Sequence, residues 1–119
     1  MSTVAVGNKG EDLACKYLQK LGYQILEKNY RIRGGEIDIV AKDKDYLVFI
    51  EVKTRSSHKF GLPVEAMTYW KIKHLLKTAQ FYIQKIKWGD KPYRLDFISI
   101  DFAENPDNPN IELIKNITG

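Results

Sequence analysis

Apolar residues follow two rhythms along this chain, and the switches between them divide it into elements. Leu13, Ala14, Tyr17, Leu18 and Leu21 recur at the three- and four-residue spacing of an amphipathic helix. That helix is predicted to start at Asn8, with Glu11 and Asp12 in its first turn, where acids suit the helix dipole, and with Gly22 as its stop. Residues 1–7 read as an arm. Residues 23–32, YQILEKNYRI, then read as a strand, RGG at 33–35 as a turn, and residues 36–42 as a second strand. DKD at 43–45 is the expected hairpin loop, and residues 46–54, YLVFIEVKT, the third strand. Its opening run YLVFI is apolar at every position, so both faces of this strand are expected to be covered. RSSHKFGLP at 55–63 is a loop, and Pro63 suits the first turn of a second helix reaching about Lys87. Met67, Ile72, Leu75, Leu76, Ala79, Tyr82, Ile83 and Ile86 give that helix its core stripe. GDKP at 89–92 ends it, YRLDFISIDF at 93–102 is a fourth strand, and IELIKNI at 111–117 a short last one. The order αβββαββ predicts an α/β domain over residues 8–119, with a mixed central sheet flanked by helices.

Composition adds limits. At 119 residues, 44% hydrophobic and 29% charged, the chain suits one ordinary globular domain. No apolar run approaches the roughly 20 residues that cross a bilayer, and the N-terminus lacks a basic segment leading into an apolar one. The single cysteine, Cys15, excludes an internal disulfide framework and reads as an inert thiol on the buried side of a helix. A cytoplasmic protein with no membrane partner is the resulting expectation. Net charge is +4, and it is polarised. Residues 64–87 carry Lys71, Lys73, Lys77, Lys85 and Lys87 against Glu65 alone. Residues 101–112 carry Asp101, Glu104, Asp107 and Glu112 and no base. Such a distribution steers a polyanion.

The chemistry concentrates in GGEIDIVAKDKDYLVFIEVKTR, residues 34–55. Strands are poor in Asp, Glu and Lys, yet Glu36 and Asp38 share one strand and Glu51 and Lys53 the next. Alternation places Glu36 with Asp38, and Glu51 with Lys53, on common faces. Pairing the two strands about residue 44 sets residue 37 opposite 51 and brings Asp38 near Glu51. Two carboxylates at the end of a sheet suit a hard divalent cation such as magnesium, and the backbone carbonyl of Val52 would add a ligand. The Lys53 ammonium would stabilise negative charge developing on a phosphate. These parts suffice to hydrolyse a phosphodiester without a nucleophilic Ser or Cys.

The blocks GNKGEDLA, GGEIDIVA, LVFIEVKTR, FGLPVEA and YRLDFISI, in this order over residues 8–102, resemble the YraN-like family of small bacterial proteins. That family belongs to the PD-(D/E)xK superfamily, with a restriction-endonuclease-like fold related to Holliday junction resolvases. The resemblance implies a Mg2+- or Mn2+-dependent endonuclease acting on DNA, in particular branched DNA. It implies Asp38 and Glu51 as metal ligands, Lys53 as the motif lysine, and Glu11 as a helical acid completing the metal shell. The proline of the superfamily motif is Ile37 here, a position without chemistry, and Glu36 is an extra acid that would bind a second metal, pair with Arg55 or shape the turn. Arg31, Arg33, Arg55, Lys59, Lys71 and Lys73 are candidate phosphate contacts. His58 reads as a loop residue and His74 as a helix-surface residue. Tyr69, Trp70, Phe81 and Tyr82 are expected mostly to fill the core. Cutting two strands would need a homodimer, with the surroundings of Trp70 or Trp88 as one candidate contact. Two other readings share these residues. One is a non-catalytic nucleic-acid-binding or assembly protein that keeps the fold. The other is an interaction domain whose charges serve stability.

Overall fold

The computed structural model describes residues 3–57 and 67–118, with side chains of the first helix described from Lys9 onward. The elements are α1 (Thr3–Lys20), β1 (Gln24–Ile32), β2 (Gly35–Asp43), β3 (Tyr46–Arg55), α2 (Tyr69–Lys85), β4 (Tyr93–Asp101) and β5 (Asn110–Ile114). The order αβββαββ is the expected one. The strands form a single mixed sheet in the order β1-β2-β3-β4-β5. Only β3 and β4 run parallel, as the intervening helix α2 requires; the other neighbours are antiparallel.

The apolar run of β3 is explained by its place at the centre. Leu47, Val48, Phe49 and Ile50 are completely buried. Val48, Ile50 and Val52 pack on one face with Ala14 and Leu18 of α1. Leu47 and Phe49 pack on the other with Leu75, Ala79, Tyr82 and Ile83 of α2. Cys15 lies half-buried against the α1 cluster, and burial pushes its thiol pKa up, away from nucleophilic behaviour. Among the described residues no helix is long and apolar enough to cross a membrane.

Three boundaries differ from the sequence reading. α1 begins at Thr3, not Asn8, so the segment read as an arm is helical from its third residue. Gly7 and Gly10, poor helix formers, hid this. Gly10 is there for close packing, because a Cβ at this position would overlap the Thr54 side chain of β3. α2 begins at Tyr69, with extended Thr68 as its N-cap accepting from the Lys71 N–H at 3.2 Å. The predicted start at Pro63 lies outside the described residues. The β2–β3 hairpin turns on Lys44 and Asp45, with Asp43 paired to Tyr46. Its register is therefore one residue from the expected one, and continuing it places position 38, not 37, opposite 51.

A second close approach positions α2 over β2. A Cβ added at Gly35 would overlap the Thr78 hydroxyl and lie 3.2–3.3 Å from its Cβ and methyl. Gly35→Ala is expected to cost about 1–3 kcal/mol, the usual penalty of overpacking, read as a fall of several degrees in the thermal midpoint. Adding Thr78→Ala should recover part of the loss. Strictly additive losses would show that the two residues do not touch.

Candidate active site

β2 and β3 separate where the acids lie. Their ladder ends at the pair Ile39–Ile50. Beyond it, the N–H of Val52 donates to Oδ2 of Asp38 at 2.8 Å, so a carboxylate takes the place of the missing ladder carbonyl. In an extended chain the N–H and C=O of one residue point to the same side. The Val52 carbonyl therefore faces the same gap between the strands.

Three acids meet there. The Asp38 carboxyl is in hydrogen-bonding contact with that of Glu51 and with that of Glu11 from α1. Glu51 is only 9% exposed. Its burial, then the hydrogen bond to Asp38 and the Asp38 charge, raise its pKa far above the ordinary carboxylate range, while Lys71 and Lys53 act in the opposite direction. Glu11 is raised too, by burial first and then by Asp38 and Glu36. Lys53, next along the same face of β3, is lowered by burial and then by Lys71 and Arg55. Burial thus resists charge on either sign of group, and the carboxyl pair has no cation in salt-bridge contact among the described residues.

A cavity of about 310 Å³ opens onto Asp38 and Glu51. Its lining includes Glu36, Asp38 and Glu51 from the sheet, and Lys71, His74 and Thr78 from α2. Thr78 is itself tied to α2 by donating to the His74 carbonyl at 3.1 Å. Lys71 thus stands at the cavity wall. His74 lies there as well, although its helical position alone marked it only as surface. The signal that would have found it is its three-residue spacing from Lys71, which sets both on one stripe.

Other predicted contacts are dispersed. Arg31 sits across from Glu36 in the β1–β2 register and pairs with it at 3.3 Å, so Glu36 pairs with Arg31 and not with Arg55. Arg33 is exposed in the β1–β2 turn. Arg55 donates to the Thr54 carbonyl at 3.3 Å, and its Nε is buried without a hydrogen-bond acceptor among the described residues. Lys73 points away over the rings of Tyr69 and Trp70. Lys59 and His58 lie outside the described residues.

The donor set is all oxygen, which fits magnesium or manganese rather than a softer metal. Asp38 keeps Oδ1 free of the Val52 N–H, and among the described residues Glu51 has no cation in salt-bridge contact, Lys71 and Lys53 acting on it only at longer range. Among the described residues no group of three or more His, Cys, Asp or Glu side chains is already arranged to hold an ion. The residues that would hold it are therefore Asp38, Glu51 and the Val52 carbonyl, with Glu11 contributing through Asp38 or water.

The energetics of Glu51 can be tested without any substrate. Its folded pKa lies far above the ordinary carboxylate value of about 4.5, so the folded chain keeps a proton that the unfolded chain releases. Its contribution is complete below about pH 4.5 and is lost as pH rises toward the elevated folded value. In EDTA, Glu51→Gln should therefore melt several degrees above the wild type at pH 8, with a smaller gap at pH 5. A gap independent of pH would contradict the burial of an ionisable group here.

Comparison with known proteins places the chain among relatives of similar length. The profile of "Uncharacterised protein family UPF0102" matches residues 10–100. A UPF0102 protein of Dehalococcoides mccartyi is 47% identical over 113 residues, covering 95% of this chain and 92% of its own. One of Caldicellulosiruptor saccharolyticus is 42% identical over 116 residues, covering 98% of each. One of Clostridium botulinum is 48% identical over 112 residues, covering 93% of this chain and 91% of its own.

Proposed function

We propose that this chain, which belongs to the uncharacterised protein family UPF0102, the YraN-like family, is a metal-dependent endonuclease that hydrolyses DNA phosphodiester bonds. One observation carries the reading. The Asp38 and Glu51 carboxyls meet at a splayed sheet end, beside Lys53, in a cavity walled by Lys71. Burying two acids against each other is unfavourable for a folded chain alone, and a divalent cation would remove that cost.

Each residue then has a task. Lys71 holds the DNA backbone at the cavity mouth by its charge. Lys53 donates to the scissile phosphate and stabilises the negative charge that grows there. Asp38, held by the Val52 N–H through one oxygen, has the other left for a metal. Glu11, through Asp38, keeps that carboxylate oriented. When bound, magnesium or manganese supplies Lewis acidity toward the phosphate.

The deciding experiment incubates the protein with linear, nicked, flapped and four-way-branched DNA in magnesium, manganese or EDTA. Cleavage that requires the metal supports the reading. The acid-free α2, with Lys71, Lys73, Lys77 and Lys85, supports a second one as well, a non-catalytic nucleic-acid-binding or assembly protein. It requires DNA binding in EDTA and no cleavage with either metal on any substrate.

A further inference from the structure

Tyr69 and Trp70 open the first turn of α2, and each is 68% exposed. Their rings pack edge to face, with centroids 5.3 Å apart. The Lys73 ammonium lies 5.7 Å from one ring centroid and 5.8 Å from the other. They were expected to fill the core, but the α2 residues that pack on the sheet are Leu75, Ala79, Tyr82 and Ile83 with Ile72 and Leu76 beside them, and Tyr69 and Trp70 are not among them. Buried aromatics are among the largest apolar contributors to stability, so two adjacent ones left in water call for a partner.

The charge around the pair identifies that partner. α2 carries Lys71, Lys73, Lys77 and Lys85 and no acid. A second copy of this chain docking here would set lysines against lysines, which disfavours self-association at this face. A ligand that suits it must be anionic and must offer flat rings. Duplex DNA is anionic, but its ring faces are occupied by neighbouring bases. Unpaired nucleotides supply both a phosphate backbone and open faces, and stacking on aromatic side chains is how such strands are commonly held. The surface is also continuous with the site already described, because Lys71 and His74 of the same helical segment line the acidic cavity.

We propose that Tyr69 and Trp70 form a stacking platform for unpaired bases, so that the substrate class is DNA with single-stranded nucleotides next to the scissile phosphate. Forks, flaps and junctions with open bases belong to this class; intact duplex does not. The direction in which the strand leads rests on the endonuclease reading. Its binding to the aromatic pair does not.

The test uses the full chain in EDTA, so that cleavage plays no part. Trp88→Phe leaves Trp70 as the sole tryptophan. An oligothymidylate of about 16 nucleotides, the upper range for one binding module, should quench its fluorescence. A blunt duplex should quench it far less. In the otherwise wild-type chain, replacing Tyr69 and Trp70 together by Ala should weaken binding of the oligothymidylate and of a forked DNA by about 10- to 100-fold, the scale of lost base stacking. Blunt-duplex affinity should stay within about twofold, and Trp70→Tyr should retain most of the single-strand affinity. Both residues are exposed, so an unchanged circular dichroism spectrum and melting point are expected alongside. Absence of quenching, an equal loss on duplex, or conversion of a dimer to a monomer by the double replacement would each overturn the platform. Quenching and a selective loss in a protein that never cleaves would keep the platform and remove the endonuclease. Cleavage without quenching would do the reverse.

Discussion

Asp38→Asn is expected to lower the rate of metal-dependent DNA cleavage by about a thousandfold or more, and Lys53→Ala by about 10²–10³-fold. The first change removes a charged donor from the carboxyl pair. The second removes the ammonium proposed to face the growing phosphate charge, and loss of one such group typically costs that factor. Their effects on binding should have opposite signs. Asp38→Asn deletes a negative charge from the cavity proposed to accept a phosphate, so DNA affinity in EDTA should hold or rise. Lys53→Ala deletes a positive charge and should weaken binding modestly, with a shallower dependence on salt. Lys53→Arg should recover binding but little of the rate, since a planar guanidinium does not take the place of a compact ammonium in a crowded site. Cleavage that persisted in both single variants would locate the activity elsewhere. A parallel fall of binding and rate in Asp38→Asn would mean that the acid supports the fold instead of the reaction, which circular dichroism would show at once.

The elements that bear this site were legible because their signals are local. The apolar run ahead of Glu51 announced a covered central strand, and period-two alternation put Glu51 and Lys53 on one face. Register was missed by one residue because Lys44 takes the left-handed region at φ 55°, which a glycine or asparagine would have advertised and a lysine does not. The α2 wall of the cavity was only half visible. Lys71 was picked out by charge, but His74 and Thr78 line the cavity only because α2 crosses β2 at Gly35, a tertiary event with no periodicity of its own. The exposed aromatics were missed because a stripe of large apolar residues resembles a core stripe whichever way the helix is turned. Asp96 was overlooked altogether. It carries the signal that drew attention to Glu51, an acid inside an apolar strand, yet it is completely buried and fully partnered. The contrast separates the two roles. Asp96 is answered by Arg94, Tyr23 and the Asn116 N–H, whereas Glu51 meets another acid.

Arg94→Met should be the most damaging single change to stability outside the acidic cavity, at about 3–5 kcal/mol, the usual cost of orphaning one member of a buried ion pair. On the α1 face of the sheet, Asp96 is 0% exposed and accepts from Arg94 Nε at 3.0 Å and from the Asn116 N–H at 2.9 Å. Tyr23 donates to its other oxygen at 3.2 Å. Arg94 also donates to Asp43 at 2.8 Å and to the Tyr23 hydroxyl. This cluster joins the start of β1, the β2–β3 hairpin, β4 and the C-terminal tail. A thermal midpoint lower by more than about 10 °C is the expected reading. Arg94→Met combined with Asp96→Asn should melt above Arg94→Met alone, because an amide still accepts from Asn116 without a charge to strand. Burial, and then the Asp96 charge, push the Tyr23 phenol up to about 12 from 10. The folded chain then keeps a proton that the unfolded chain loses, so this contribution is complete below pH 10 and disappears as pH rises to about 12. Tyr23→Phe should lower stability at neutral pH by about 1–2 kcal/mol for its lost hydrogen bonds and flatten the decline above pH 10. A loss under about 1 kcal/mol for Arg94→Met, or an unchanged alkaline limb in Tyr23→Phe, would show that the cluster does not hold these four segments together.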